Sequence, residues 1–174
     1  EISTSEIVLK GERLVQSTFR DITERKRQEA ALRESEERYR ALFEGGNDAI
    51  FLHEIGEDGQ AGQFLQVNDV ACQCLGYNRD ELLQLSTRDL RSREMPEVVA
   101  QLQAQRSALF EVDLKTKDGR TIPVEINTRL FELGGRPVAL SIARDITERR
   151  RAAAEQERHL AAINDLYCCL LERD

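Results

Sequence analysis

Apolar and polar residues alternate through the second half of the chain. Ile122, Val124 and Ile126 recur at every second position, with polar or small residues between them. A two-residue period is typical of a strand with one buried face. The same period, interrupted by the turn sequences KDG and LGGRP, predicts three consecutive strands, at 108–116, 120–131 and 138–144.

Shorter segments precede these strands. Residues 49–55 and 64–68 are β-rich and flank a glycine-containing turn, which predicts a hairpin. Asn68 is a suitable N-cap for the first of four short helical segments, which lie at 69–76, 79–85, 87–90 and 96–106. Two strands, short helices and three strands, in that order, predict an α+β fold. We expect one five-stranded antiparallel sheet with the helices on one face.

Helical patterns flank this region on both sides. Residues 21–46 predict a long entry helix, which Asp21 and Glu24 cap. Its apolar stripe consists of Leu32, Tyr39, Leu42 and Phe43. An exit helix is predicted from Asp145 onward, where Asp145 and Glu148 repeat the capping pattern. The apolar residues of the exit helix recur at spacings of three and four, which suits a coiled coil, and they are Leu160, Ile163, Tyr167 and Leu170.

The hexapeptide RDITER occurs twice, at 20–25 and 144–149. Aligned without a gap, residues 1–27 and 125–151 are identical at 13 of 27 positions. Such self-similarity indicates repeated units. We expect residues 1–20 to be the last two strands of a truncated upstream unit, forming a loose hairpin or pairing with another chain. The expected divisions that follow are an entry helix at 21–46, a complete domain at 47–144 and an exit helix at 145–174.

Charge, hydropathy and cysteine spacing exclude several functional classes. The net charge of −7 and the pI near 5.1 argue against nucleic-acid binding, which normally requires a basic face. No apolar run is long enough to span a bilayer and no signal peptide is recognisable, so we expect a cytoplasmic segment without membrane contact. The cysteines match no zinc or redox spacing, and the adjacent pair Cys168 and Cys169 suggests at most an inter-chain disulfide under oxidation.

The motifs together resemble the PAS domain, in the sensory-box form common in bacterial sensor proteins. The residues that carry the resemblance span 35–149, and they are SEERYRALFE, NDAIFLHE, VNDVACQCLGYNRDEL, KDGRTIPVEI and the closing RDITER. The resemblance implies a non-catalytic sensory and dimerisation module that passes a conformational change through its flanking helices. It also implies that an Asp-Ile-Thr motif couples the sheet to the exit helix. The implied coupling residues are Asp145, Ile146 and Thr147, with Asp21, Ile22 and Thr23 in the upstream copy.

Few residues of this chain match the positions that bind cofactors in members of the family. Light-sensing members that bind flavin use a cysteine in the segment that corresponds to LSTRDL, where this chain has Thr87 or its neighbour. Haem-binding members use a histidine on the long helix, and residues 96–106 contain none. The resemblance therefore disfavours a flavin adduct and a His-ligated haem, and it indicates no particular cofactor.

The interior is expected to be either an apolar cavity or a filled core. Any ligand should be small and fairly apolar, with one polar anchor. The residues predicted for the wall are Ile50, Leu52, Phe64, Val67, Leu109, Phe110, Val112, Leu114, Val124, Ile126, Leu140 and Ile142. His53 and Phe51 fall on the opposite face of their strand from Ile50 and Leu52, so we expect His53 to be a packing or surface residue.

No catalytic or metal-binding residues are predicted. His159 lacks the context of a phospho-accepting histidine, and nucleotide-binding and hydrolase motifs are missing. Three hypotheses follow: a sensor or relay module, a ligand-free dimerisation adaptor, and a non-catalytic fragment of a histidine kinase or diguanylate cyclase. The expected partners are a second copy, through the flanking helices, and a downstream output domain in the parent protein.

Overall fold

The computed structural model of the chain describes residues 2–9, 12–56, 59–93 and 95–171. The chain divides into two compact units, Glu1–Gly45 and Gly46–Asp174. The predicted turn at Lys10 and Gly11 lies outside the described residues, as do the side chains of Cys168 and Cys169.

The first unit is a hairpin followed by a long helix. Strands β1 (Ile2–Leu9) and β2 (Glu12–Phe19) pair antiparallel, and helix α1 follows at Thr23–Glu44. No residue of α1 is buried. Pairs of opposite charge four residues apart support the helix, such as Arg38 with Glu34 at 2.8 Å. The apolar stripe on α1 is exposed at Leu32, Tyr39 and Leu42.

The second unit contains the predicted sheet. Its elements are β3 (Ala49–Ile55), β4 (Ala61–Val67), α2 (Asp69–Leu75), α3 (Arg79–Leu83), α4 (Thr87–Leu90), α5 (Pro96–Gln105), β5 (Ser107–Lys115), β6 (Thr121–Leu133), β7 (Arg136–Asp145) and α6 (Thr147–Leu171). The strand order is β4-β3-β7-β6-β5, and every neighbouring pair is antiparallel. The α+β prediction with a five-stranded antiparallel sheet is confirmed.

The turn between β6 and β7 has the geometry that its sequence predicts. Gly134 and Gly135 have φ angles of 58° and 78° and form a two-residue connection between paired strands. Positive φ at both positions matches the right-handed twist of a hairpin and favours glycine. This turn sets the register that brings Ser141 opposite Thr128.

The short helices cover the inner face of the sheet. Leu75, Leu82 and Leu90, one each from α2, α3 and α4, are almost completely buried. They pack into a single core with the inner residues of the strands, which include Phe51, Phe64, Val112, Val124 and Ile126. Burial of this apolar surface is the main force that holds the helices on the sheet.

Asn68 connects the first hairpin to the helical layer. Its fully buried side chain accepts hydrogen bonds from the backbone N–H groups of Ile50, at 2.9 Å, and Ala71, at 3.0 Å. Its amide nitrogen donates to the carbonyl oxygen of Asp48 at 3.0 Å. The predicted N-cap of α2 is therefore confirmed, and the same residue also fixes the start of β3.

Replacing Asn68 with alanine should lower the free energy of unfolding by about 2–4 kcal/mol, because three backbone groups, one buried and two partly buried, lose their partner. The measurement is denaturant unfolding. Asn78→Ala is the matched control, since Asn78 caps α3 at an exposed position and should cost only about 1 kcal/mol. Equal losses for the two variants would show that the buried contacts of Asn68 add nothing to its role as a cap.

Candidate functional site

A cavity of about 70 Å³ lies between the inner face of the sheet and the helices α4 and α5. Its wall is largely apolar and is built by side chains from both layers. The main apolar contributors are Phe51, Phe64, Leu90, Val98, Leu102, Phe110, Leu114 and Ile126. The polar side chains on the wall are His53, Thr87, Arg91, Thr128 and Ser141.

Three of these polar side chains form a continuous row across the strands β3, β7 and β6. His53 Nε2 lies 3.0 Å from Ser141 Oγ, which lies 2.9 Å from Thr128 Oγ1. His53 Nδ1 lies 3.2 Å from the carbonyl oxygen of Glu54. All three side chains are buried. We call His53, Ser141 and Thr128 the polar row.

His53 is neutral in the folded protein. Burial lowers the pKa of its imidazole from 6.5 to about 4, because the charged form loses its hydration. The hydrogen bond to the Glu54 carbonyl acts in the opposite direction, and the positive charge of Arg91 adds a smaller lowering effect. Phe64 contacts the imidazole edge-on, with ring centroids 6.2 Å apart.

Only part of the predicted wall lines the cavity. Phe64, Phe110, Leu114 and Ile126 are on the wall. Val67, Val112 and Val124 are buried in the adjoining core.

The wall prediction is wrong for the outward-facing residues, which are Ile50, Leu52, Leu109, Leu140 and Ile142. Alternation along β3 buries Ala49, Phe51 and His53 on the inner face, so Ile50 and Leu52 point outward. Leu109 and Ile142 are 60% and 39% exposed. The expectation that His53 faces away from the helical layer is therefore also wrong, although its role in packing is as predicted.

The alternation of apolar residues does not predict the polar row as a unit. The repeat carries one signal for it, because Thr128 and Ser141 align with Thr4 and Ser17, two of the identical positions. The structure pairs them in the same way: Thr4 is opposite Ser17 in the first hairpin, as Thr128 is opposite Ser141. The polar pair is thus common to both copies.

The cavity is small compared with sites for large cofactors. Its volume of about 70 Å³ is several-fold below the roughly 300–1,000 Å³ of typical ligand pockets. Thr87, which the resemblance places at or next to the position of a flavin-reactive cysteine, is on the wall. Cys74 is exposed and Cys72 is half-buried. Desolvation raises the pKa of the Cys74 thiol, and the nearby carboxylate of Asp145 adds to the effect.

A second feature, which we call the exit junction, consists of Asp145, Ile146, Thr147, Arg149 and Arg150. Asp145 Oδ1 accepts a hydrogen bond from the backbone N–H of Thr147 at 2.7 Å. Ile146 is 2% exposed, and its N–H donates to the carbonyl oxygen of Pro123 in β6 at 3.0 Å. One buried side chain therefore anchors the start of α6 to the sheet.

Asp145 lies one position before the N-cap of α6, whereas the sequence pattern predicts it to be the N-cap itself. The helix begins at Thr147, so the carboxylate satisfies the first of the unpaired helical N–H groups. Asp21 makes the equivalent bond to the N–H of Thr23, at 2.8 Å, before α1. A hydrogen bond from Thr23 is also the main reason that the pKa of Asp21 lies below its usual value.

Two arginines of the exit junction connect α6 to the neighbouring strands. Arg149 pairs with Glu111 of β5 at 2.5 Å and with Glu125 of β6 at 3.3 Å. Arg150 pairs with Glu111 at 2.8 Å and with Asp113 at 3.2 Å. The hydrogen bond from Arg150 lowers the pKa of Glu111. The coupling residues suggested by the resemblance thus occupy the place where β7 ends and α6 begins.

Among the residues that the structure describes, no three His, Cys, Asp or Glu side chains are grouped to hold a metal ion. Within the same residues, every helix is too short or too polar to cross a membrane.

The PAS domain family matches residues 47–148 of this chain. The methyl sulfide methyltransferase-associated sensor of Methanosarcina acetivorans is 34% identical over 130 residues. That alignment covers 72% of this chain but only 13% of the relative.

Two solved structures are similar to this chain in both sequence and fold. The PAS domain of an HTR-like protein from Haloarcula marismortui has a TM-score of 0.60 and 31% identity, covering 70% of this chain and 99% of that one. A domain of the sensory box sensor histidine kinase/response regulator from Geobacter sulfurreducens has a TM-score of 0.54 and 31% identity. Here the coverage is 66% of this chain and 96% of the other.

Acid should destabilise the protein through His53. Below pH 6.5 the unfolded chain binds a proton at this residue, whereas the folded chain does so only near pH 4. The free energy of unfolding should therefore fall as the pH drops from about 6.5 to about 4, by about 3 kcal/mol for this residue alone.

Denaturant unfolding across this pH range measures the effect. His53→Gln should flatten the profile between pH 6.5 and 4, because glutamine does not titrate. His159→Gln, which changes the exposed histidine of α6, should leave the wild-type profile unchanged. A His53→Gln profile as steep as that of the wild type would contradict the assignment.

Proposed function

Because the chain belongs to the PAS domain family, we propose that it passes a change in the sheet, through α6, to an output domain of a longer protein. Its second unit is a PAS sensor domain related to the PAS domains of sensor histidine kinases. The chain itself is proposed to have no catalytic activity. A histidine kinase or a diguanylate cyclase is the kind of output domain that we propose for the parent protein.

The exit junction is the observation that carries this proposal. β7 forms part of the cavity through Ser141 and ends at Asp145, and α6 begins two residues later at Thr147. Ile126 also lines the cavity and is opposite Ala143, two residues before Asp145. The path from cavity to helix is therefore one short stretch of paired strand.

The contacts of the exit junction suit a switch. The side chains of Arg149, Arg150 and Glu111 are about half exposed, and ion pairs of this kind are individually weak. Several weak contacts that share one carboxylate can be exchanged at low cost, whereas the buried Ile146 keeps the helix attached. A modest change in the strands can then shift the populations of two helix positions.

The ligand-free adaptor is the second candidate function. The observation that favours it is the small size of the cavity, which leaves much of the interior filled by its own side chains. In that case the strands would pass on a change that arrives through α1 rather than one caused by a ligand. Both functions need the same exit junction.

Dimerisation through the flanking helices is part of the proposal. Leu160 and Ile163 on α6 are 60% and 46% exposed and lie three positions apart, so they share one face. Exposed leucine and tyrosine side chains on α1 form a comparable stripe. A parallel pair of copies would bury such stripes against each other in the manner of a coiled coil.

The relay should be visible as a change in α6 when the cavity is altered. Ile126→Val removes one methyl group from the wall, and we expect several-fold altered hydrogen exchange in the first two turns of α6, beyond any change in global exchange. Leu109→Ala is the control, because Leu109 is on the outer side of β5 and 60% exposed. Unchanged hydrogen exchange of α6 in Ile126→Val would contradict the relay proposal.

Native mass spectrometry and sedimentation equilibrium test the dimer. The wild-type chain should be dimeric, and the double variant Leu160→Glu/Ile163→Glu should be monomeric, since four carboxylates would meet in the shared apolar seam. Arg158→Glu is the control: it lies two positions from Leu160, on the opposite side of the helix. A monomeric wild-type chain at tens of micromolar would exclude dimerisation through this helix.

A further inference from the structure

The polar row determines which ligands the cavity can accept. We propose that the cavity binds a small uncharged molecule with an apolar body and one O–H or N–H donor, and that this donor is bound by Thr128 and Ser141. The inference rests on the proposed sensory function and adds the chemical class of the ligand.

The direction of each hydrogen bond in the polar row follows from its two ends. The Glu54 carbonyl can only accept, so His53 Nδ1 carries the ring proton of the neutral imidazole. His53 Nε2 then has a lone pair and accepts from the Ser141 hydroxyl. Because the Ser141 hydrogen is used in this way, the 2.9 Å contact requires Thr128 to donate to Ser141.

The hydrogens of the polar row are therefore all directed along the row. What remains available on Ser141 and Thr128 is the lone pairs of their hydroxyl oxygens. A ligand that presents a donor gains a hydrogen bond there. A ligand that presents only a carbonyl or ether oxygen to the polar row would meet acceptors there, and burial of an unpaired polar atom is costly.

Size and charge restrict the ligand further. A volume of about 70 Å³ is several-fold below that of typical ligand pockets, so it suits only a small molecule of a few non-hydrogen atoms. An anion at the polar row would need protonated His53, and the pKa of about 4 opposes this. Arg91 is the charged side chain on the described part of the wall, and its Nε donates to the Thr87 carbonyl at 3.3 Å.

The repeat provides an independent indication that the polar pair matters. Thr4 and Ser17 keep the same residue types and the same cross-strand register in the first hairpin, where only 13 of 27 aligned residues are identical. Thr4 and Ser17 are exposed in the first hairpin, so the feature that the two copies share is the pair of hydroxyl residues and its register.

The experiment compares 2-propanol with acetone. The two molecules have the same heavy-atom skeleton, but only 2-propanol has a hydrogen-bond donor. Each is titrated into the full chain and followed by the NMR shifts of cavity residues. Saturable binding of 2-propanol should be at least about tenfold tighter than that of acetone. Equal affinities, tighter binding of acetone, or no saturable binding of either probe would overturn the proposal.

Ser141→Ala removes the central hydroxyl of the row and frees the hydrogen of Thr128, which can then donate to acetone. The preference for 2-propanol should therefore fall to less than about threefold. Thr128→Val leaves Ser141 donating to His53 with its lone pairs available, and Thr121→Val removes a hydroxyl at an exposed position of β6, so both variants should keep the wild-type preference. A full preference in folded Ser141→Ala, or a lost preference in Thr128→Val, would refute the assignment.

The outcomes separate this inference from the proposed function. If neither probe binds but Ile126→Val still alters exchange in α6, the relay stands and the ligand class is wrong. If 2-propanol binds with the expected preference and α6 exchange responds neither to the ligand nor to Ile126→Val, the ligand site stands and the sensory role fails.

Discussion

β7 lies between β3 and β6 and pairs with both, so that Ala143 is opposite Ala49 on one side and Ile126 on the other. A strand held on both edges cannot slip by one residue without turning its inner side chains outward. Ser141 would then leave the cavity and Ile142 would enter the core. In the relay that we propose, the strand would therefore respond to the cavity only by small changes in twist or position, and these changes would reach its end at Asp145.

The exit junction combines one strong contact with several weak ones. Ile146 is buried and its N–H is bonded to β6, whereas the arginine pairs are half exposed. A helix tied only by buried contacts would not respond to small changes, and one tied only by surface ion pairs would separate from the sheet. In the proposed relay, the combination would allow α6 to turn about a fixed point while Asp145 keeps the first N–H of the helix satisfied.

The order and type of the elements could be predicted because they depend on local signals, such as alternation, the cap at Asn68 and glycines in turns. Which face of each central strand meets the helices could not be predicted from these local signals. Residues 49–55 and 138–144 carry apolar side chains on both faces. Alternation therefore shows which residues share a face but not which face meets the helices. Ile50, Leu52, Leu140 and Ile142 look more like core than Ser141 does, yet they face outward.

Ser141 is the residue through which β7 reaches the cavity. Ala139, Ser141 and Ala143 share the inner face of the strand and are buried. The short side chain of Ser141 leaves space beneath the helices, and the larger residues Phe51, Phe64 and Phe110 close the sides of the cavity. The wall of the cavity therefore includes the strand that leads to α6. In the proposed sensory role, the hydroxyl of Ser141 would put the polar contact on the strand through which a ligand could act most directly on the exit helix.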